Sequence, residues 1–146
     1  MNDRKKIIGK CKRAVIKIGS RILTTSERGL NTDRIQDLAD EMVSVMKQGI
    51  ELVVVSSGAI SAGMWRLGLK KRPVDIPVKQ AAAAVGQGRL IWSYEEAFGR
   101  HKKKVAQILL TADDLKNRRR FLNARNALET LLYYKVIPII NENDTV

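Results

Sequence analysis

The sequence predicts an α/β fold, a largely parallel sheet between helical layers, and three observations carry that prediction. Apolar runs of strand length alternate with longer stretches of helical period. Three of these runs, Ala14-Val15-Ile16-Lys17-Ile18, Leu52-Val53-Val54-Val55 and Val136-Ile137-Pro138-Ile139-Ile140, are nearly continuous in apolar character, as strands covered on both faces must be. Each then stops abruptly: at Gly19-Ser20, at Ser56-Ser57-Gly58 and at Asn141-Glu142-Asn143-Asp144. Polar and glycine-rich turns at the carboxyl ends of parallel strands are where such sheets hold ligands.

The elements follow in order. A first strand covers Arg13 to Ile18, and an irregular stretch runs to Asn31, where a helix begins. Ile35, Leu38, Ala39, Met42, Val43 and Met46 recur at helical spacing as one apolar stripe, and Gly49 ends it. The second strand is Glu51 to Val55. A short helix with Ile60, Met64 and Leu67 breaks at Gly68, before a loop containing Pro73 and Pro77. An alanine-rich helix is expected from Val78 to Phe98. Its Ala81 to Ala84 run, with Gly86 and Gly88, leaves so little bulk that another backbone can approach closely. The third strand, Val105 to Leu110, meets Thr111-Ala112-Asp113-Asp114, an N-cap with acidic residues in the first turn. A helix from Leu122 to Tyr134 leads into the fourth strand.

Length and charge bound the function. At 146 residues and 45% hydrophobic the chain can bury one core, so one domain or part of one is expected. Its 27 Lys and Arg outnumber 15 Asp and Glu, which favours anionic partners. The basic runs, such as Lys70-Lys71-Arg72 and Arg118-Arg119-Arg120, read as solvated faces rather than a nucleic-acid surface, because aromatics are only 5% of residues and do not interleave with them. No apolar window is long enough for a membrane span or a signal-peptide core, so a cytoplasmic protein is expected. Cys11 and His101 stand alone, which excludes a Cys/His metal cluster and a histidine-based triad.

Two common nucleotide loops are also excluded. Gly58 and Gly63 have phosphate-loop spacing, but Met64-Trp65 follow where Lys and Ser or Thr are required; Gly86-Gln87-Gly88 is followed by Ile91 where a dinucleotide fingerprint needs a third glycine. What remains lies at the strand ends. Lys17 interrupts an apolar strand, and an ammonium there must reach solvent or meet an anion; with Gly19 two residues on, a backbone and a point charge could serve a phosphate, although a lysine snorkelling to solvent explains it equally well. Ser57-Gly58-Ala59 opens a helix after a buried strand, an anion site or an ordinary cap. Asn141 to Asp144 supplies two amides and two carboxylates, or simply a turn.

Taken together, Ile16-Lys17-Ile18-Gly19-Ser20, the Val55 to Gly63 segment, Lys79-Gln80 with Ala84-Val85-Gly86-Gln87, Phe121-Leu122-Asn123-Ala124-Arg125 and Pro138 to Asp144 resemble the amino-terminal portion of the glutamate 5-kinases of the amino acid kinase family, from Arg13 onward. The resemblance implies a three-layer sandwich, here incomplete, with residues 1–146 as the glutamate-binding part and the nucleotide lobe and any RNA-binding-like PUA domain beyond it. It implies ATP-dependent phosphorylation of the L-glutamate γ-carboxylate in proline biosynthesis, with Mg²⁺, proline as a feedback inhibitor and a homo-oligomer. It assigns Lys17 a catalytic role, Lys17 and Gly19 a nucleotide-phosphate role, and makes Ser57, Gly58, Asn141 and Asp144 substrate-binding. No side chain is assigned to a metal. Where many members have Gly-Ser-Ser or Gly-Thr-Ser, this chain has Gly19-Ser20-Arg21, a bulky cation beside the phosphate turn. Little or no turnover is expected from residues 1–146 alone. The competing readings are a family member acting on another acidic substrate, such as aspartate, N-acetylglutamate or carbamate, a basic nucleic-acid-binding module, and a non-catalytic remnant that oligomerises.

Overall fold

A computed structural model describes residues 9–25 and 29–146. Four strands, β1 (Arg13–Ile18), β4 (Glu51–Ser56), β5 (Lys104–Leu110) and β6 (Val136–Glu142), form one sheet in the order β1-β4-β6-β5, and every pair is parallel. All four carboxyl ends therefore lie on one rim. The crossovers are helical: α2 (Thr32–Met46) joins β1 to β4, α3 (Ala59–Arg66) and α4 (Ile76–Gly99) join β4 to β5, and α5 (Ala112–Lys116) and α6 (Arg118–Tyr133) join β5 to β6.

The core sits on one face of the sheet. Ile18, Leu52, Val54, Ile137 and Ile139 pack there with Ile35, Ala39, Met42 and Val43 of α2 and Leu90, Tyr94, Ala97 and Phe98 of α4. Side-chain alternation sends Val15 and Lys17 of β1 to the opposite face, where both are exposed, Val15 by 66%. On that face α6 packs against β6 and buries Leu132. Helices thus cover both faces, but unequally.

Several boundaries differ from the sequence reading. The stretch after β1 is not wholly irregular: α1 (Ser20–Leu23) makes one turn, and β2 (Thr24–Thr25) pairs antiparallel with β3 (Gly29–Leu30). Such short pieces have no readable period. Asn31 does begin α2, its side chain accepting from the Arg34 N–H at 3.0 Å. Pro77 belongs to the first turn of α4 rather than to the preceding loop, since a proline there loses no helical hydrogen bond. The Thr111 cap forms a full capping box with Asp114, but α5 then ends at Lys116 and Asn117 caps α6, which starts at Arg118 instead of Leu122. Finally, β6 carries Pro138 between two neighbours; its ladder to β4 is Val54↔Ile139 and Val55↔Ile140, past the residue that lacks a donor.

The densest helix contact is α3 against α4. A Cβ on Gly63 would fall inside van der Waals contact with the Ala82 carbonyl oxygen, and one on Gly86 would do the same to the Ala59 carbonyl oxygen. The close approach expected of the alanine-rich helix thus occurs at Gly86. Gly88, by contrast, has nothing within 4 Å of the equivalent position.

Candidate functional site at the sheet rim

At the carboxyl ends of β4 and β6 the chain leaves a cleft of about 220 Å³ lined by Ser20, Ser57, Gly58, Arg72, Asn141, Glu142 and Asp144, together with the first residues of α3. At ~30 Å³ per water this is room for about seven waters, the scale of a free amino acid. Ser57, Gly58, Asn141 and Asp144 therefore come together. Lys17 and Gly19 are not among the lining residues. They belong to the same rim because β1 pairs with β4 in the register Lys17↔Val55 and Ile18↔Ser56, and the Ser57 N–H donates to the Ile18 carbonyl at 3.1 Å.

One wall is the start of α3. Gly58 takes φ +104° so that the chain can turn from β4 directly into α3, a backbone conformation that an L side chain resists. No side chain caps α3 among the described residues. Gly58 is itself the N-cap, and the first residues of the helix, Ala59, Ile60 and Ser61, whose N–H groups have no intrahelical acceptor, line the cleft at the positive end of the helix dipole. Of the two adjacent serines, Ser56 is buried and shares a 3.0 Å hydrogen bond with the Tyr94 hydroxyl, whose pKa burial pushes up to about 12. Ser57, half-buried, is the one that lines the opening.

The other wall is β6. Asn141 and Glu142 are not turn residues as the sequence suggested: the strand continues through them, paired as Leu109↔Asn141 and Leu110↔Glu142, and the Asn143 N–H prolongs the ladder to the Leu110 carbonyl at 2.9 Å. Asn141 is 8% exposed. Its Oδ1 accepts from the Glu142 N–H at 2.9 Å, yet its buried Nδ2 has no hydrogen-bond partner among the described residues. A buried amide donor without an acceptor costs about 1–3 kcal/mol. The Asp144 carboxyl is raised above the usual aspartate range, first by burial and then by the neighbouring Glu142, with Arg72 opposing. A ligand cation would offset both by favouring the charged carboxylate.

Sequence reasoning missed Arg72 as a lining residue; Ser20 and Glu142 lay within the polar turns it singled out but received no individual role. Arg72 lay in a basic run indistinguishable from solvated charge, and only the path of the loop before α4 brings it to the rim. Arg21 turns to a neighbouring cleft with Thr24, Ser61, Trp65 and Lys70, so it does not enter the cleft of Ser57 and Asp144. Among the described residues no group of three or more His, Cys, Asp or Glu could hold a metal ion, and no helix is long and apolar enough to cross a membrane.

Comparison with known proteins agrees with this architecture. A glutamate 5-kinase of Geobacter metallireducens is 63% identical over 140 residues, 96% of this chain and 38% of that protein. One from Hydrogenovibrio crunogenus is 51% identical over 146 residues, the whole of this chain and 39% of that protein. The chain thus spans less than two-fifths of the length of the curated relatives it matches. Among solved structures, carbamate kinase from Giardia lamblia bound to AMP-PNP superposes with a TM-score of 0.61 at 16% identity, over 92% of this chain and 57% of that one. Aspartate kinase from Synechocystis gives 0.53 at 16% identity, over 86% of this chain and 21% of that one, a likeness of fold alone. With residues 12–146 matching the amino acid kinase family as a whole, on a parallel sheet whose rim gathers the residues described above, the chain belongs to that family.

Proposed function

We propose that this chain is the substrate-holding part of a glutamate 5-kinase, which transfers the γ-phosphoryl group of ATP to the γ-carboxylate of L-glutamate. The observation that carries the reading is one cleft that holds both kinds of group: helix N–H groups and the Ser57 hydroxyl on the α3 wall, and the unpartnered Asn141 amide with the Asp144 and Glu142 carboxylates on the β6 wall. The donors suit a carboxylate and the carboxylates suit an α-ammonium, which together describe an amino acid. Arg72 at the same opening suits a second carboxylate and favours a dicarboxylic side chain over a neutral one.

The chemistry asks little more of the protein. A carboxylate is already ionised at neutral pH, so no base is required, which fits a chain with a single histidine 2.6 Å from Asp40. An oxygen of the γ-carboxylate forms the new P–O bond as the bond from the γ-phosphorus to the ADP oxygen breaks. Charge spreads over the equatorial oxygens, and positioning with charge neutralisation supplies the catalysis. Lys17, exposed on the rim next to the cleft, would supply a positive charge to the phosphates. Mg²⁺ would be held largely by the phosphates themselves, since such sites usually recruit only one or two carboxylates, and this chain offers no carboxylate cage among the described residues.

Isothermal calorimetry of the chain with L-glutamate, L-aspartate, N-acetyl-L-glutamate and carbamate tests the reading. L-Glutamate should bind most tightly. Ser57→Ala should weaken it about tenfold or more, as expected for a hydrogen bond to a charged group worth about 1.5–3 kcal/mol, with the thermal midpoint unchanged. Preference for another of these acids would overturn the substrate assignment.

Gly19 gives a second test. Its φ is −77° and a Cβ there would meet nothing within 4 Å, so neither strain nor packing demands a glycine. If the open space admits a phosphate, Gly19→Ala should leave the thermal midpoint unchanged or slightly raised while weakening ATP binding severalfold. Equal ATP affinity in the two proteins would remove Gly19 from the nucleotide site.

A further inference from the structure

Two consecutive residues of α4 touch the two walls of the cleft. Gly86 lies against the Ala59 carbonyl and the Gly63 N–H, the backbone of the helix that ends one wall. Gln87, only 6% exposed, donates from Nε2 to the Glu142 carbonyl at 3.2 Å, on the strand end that forms the other. The direction of its amide is not free. Gln107 of β5 donates from its own Nε2 to the Gln87 Oε1 at 2.9 Å, so the nitrogen of Gln87 is left to face Glu142. Neither glutamine lines the cleft, and neither is needed for the sheet ladder or the α3–α4 contact.

We propose that Gly86 and Gln87 make α4 the gauge of the cleft, with Gln87, oriented by Gln107, as a positioning residue that fixes the spacing between the donor wall and the Asn141–Asp144 wall and so selects the length of the acidic amino acid that fits. The selection rests on the substrate reading above; the positioning does not. Because α4 is clamped to α3 by backbone contact at Gly86, whereas among the described residues one side-chain hydrogen bond, from Gln87, ties it to the end of β6 beyond the packed core, the β6 end is the adjustable one. Loss of the Gln87 bond leaves the strand end to the β5 ladder alone, just where Asn141 and Glu142 leave the protection of β4.

The test uses the chain with Gln87→Leu, Gln107→Glu and Gln107→Leu. The carboxylate introduced by Gln107→Glu presents only acceptors at neutral pH, so Gln87 must turn its nitrogen toward it and its oxygen toward the Glu142 carbonyl, whereas Gln107→Leu removes a donor without reversing Gln87. Hydrogen exchange without ligand should therefore speed up at least tenfold across 141–144 in Gln87→Leu and Gln107→Glu, and stay within about threefold of wild type in Gln107→Leu. The ratio of L-glutamate to L-2-aminoadipate affinity should fall about tenfold in the first two variants and hold in the third. Equal behaviour of Gln107→Glu and Gln107→Leu, or unchanged exchange in Gln87→Leu, overturns the proposal. Should Gln87→Leu not fold, the Gln107 pair decides it. If wild type binds no L-glutamate but the exchange pattern holds, the substrate reading fails and the positioning stands.

Discussion

Gly86→Ala and Gly63→Ala should each destabilise the chain by about 3 kcal/mol or more, the upper end of what overpacking costs, because the new methyl group meets backbone instead of a side chain that could rotate away. At Gly86 the intruding carbon would also lie 2.6 Å from the Ala59 carbonyl carbon and 2.7 Å from the Gly63 nitrogen. Neither helix can yield alone: α3 is the continuation of β4 through the Gly58 turn, and α4 is anchored by Tyr94 and Phe98, both fully buried. For a domain whose whole stability is of the order of 5–15 kcal/mol, such a loss is large, and urea titration should show it as a lower midpoint. Gly88→Ala is the control. That position is exposed, helical and open, so it should gain about 0.5–1 kcal/mol from the better helix former. Near-native stability of Gly86→Ala would mean that the two helices do not meet by backbone contact.

Asp144→Asn should weaken L-glutamate binding by at least about thirtyfold, from the roughly 2 kcal/mol or more that a partly desolvated charge pair loses with one partner. The same substitution should not destabilise the fold. The Asp144 carboxyl titrates above its unfolded value, because burial and Glu142 disfavour the anion more than Arg72 favours it. The folded chain therefore holds that proton more tightly than the unfolded chain does. Its ionisation costs nothing below the unfolded pKa, begins to cost stability as pH rises through that value, and costs the full amount once pH passes the folded one. Asn carries no such cost, so the variant should be at least as stable as wild type at pH 7 and should lose any advantage near pH 3. Thermal melts at the two pH values, beside calorimetry, check both halves. A variant that binds L-glutamate normally, or that is destabilised at pH 7 and not at pH 3, would show that Asp144 serves the fold rather than a ligand. Opposite signs for stability and binding mark a site residue, since a functional carboxylate is kept where the empty fold would do better without it.

The sequence by itself determined the alternation of strands and helices, the positions of the central strands and the need for small residues in α4. Each of these is written in local terms: apolar runs, helical spacing, capping residues such as Asn31 and Thr111, and glycines that no side chain could replace. It also determined that Ser57, Gly58, Asn141 and Asp144 would stand at strand ends, and parallel pairing then placed those ends on one rim. Only the tertiary structure decided the strand order β1-β4-β6-β5, which of two adjacent serines opens into the cleft, that Asn141 is a strand residue with an unpartnered amide, and that Lys17 lies on the rim outside the cleft lining. The same holds for Arg72 and for the Gln107–Gln87–Glu142 relay, whose outer members are 20 and 55 residues from Gln87 along the chain. The physical reason is direction. Spacing in a sequence fixes which residues share a face, but the partner that a polar atom meets depends on register and on elements folded in from far along the chain.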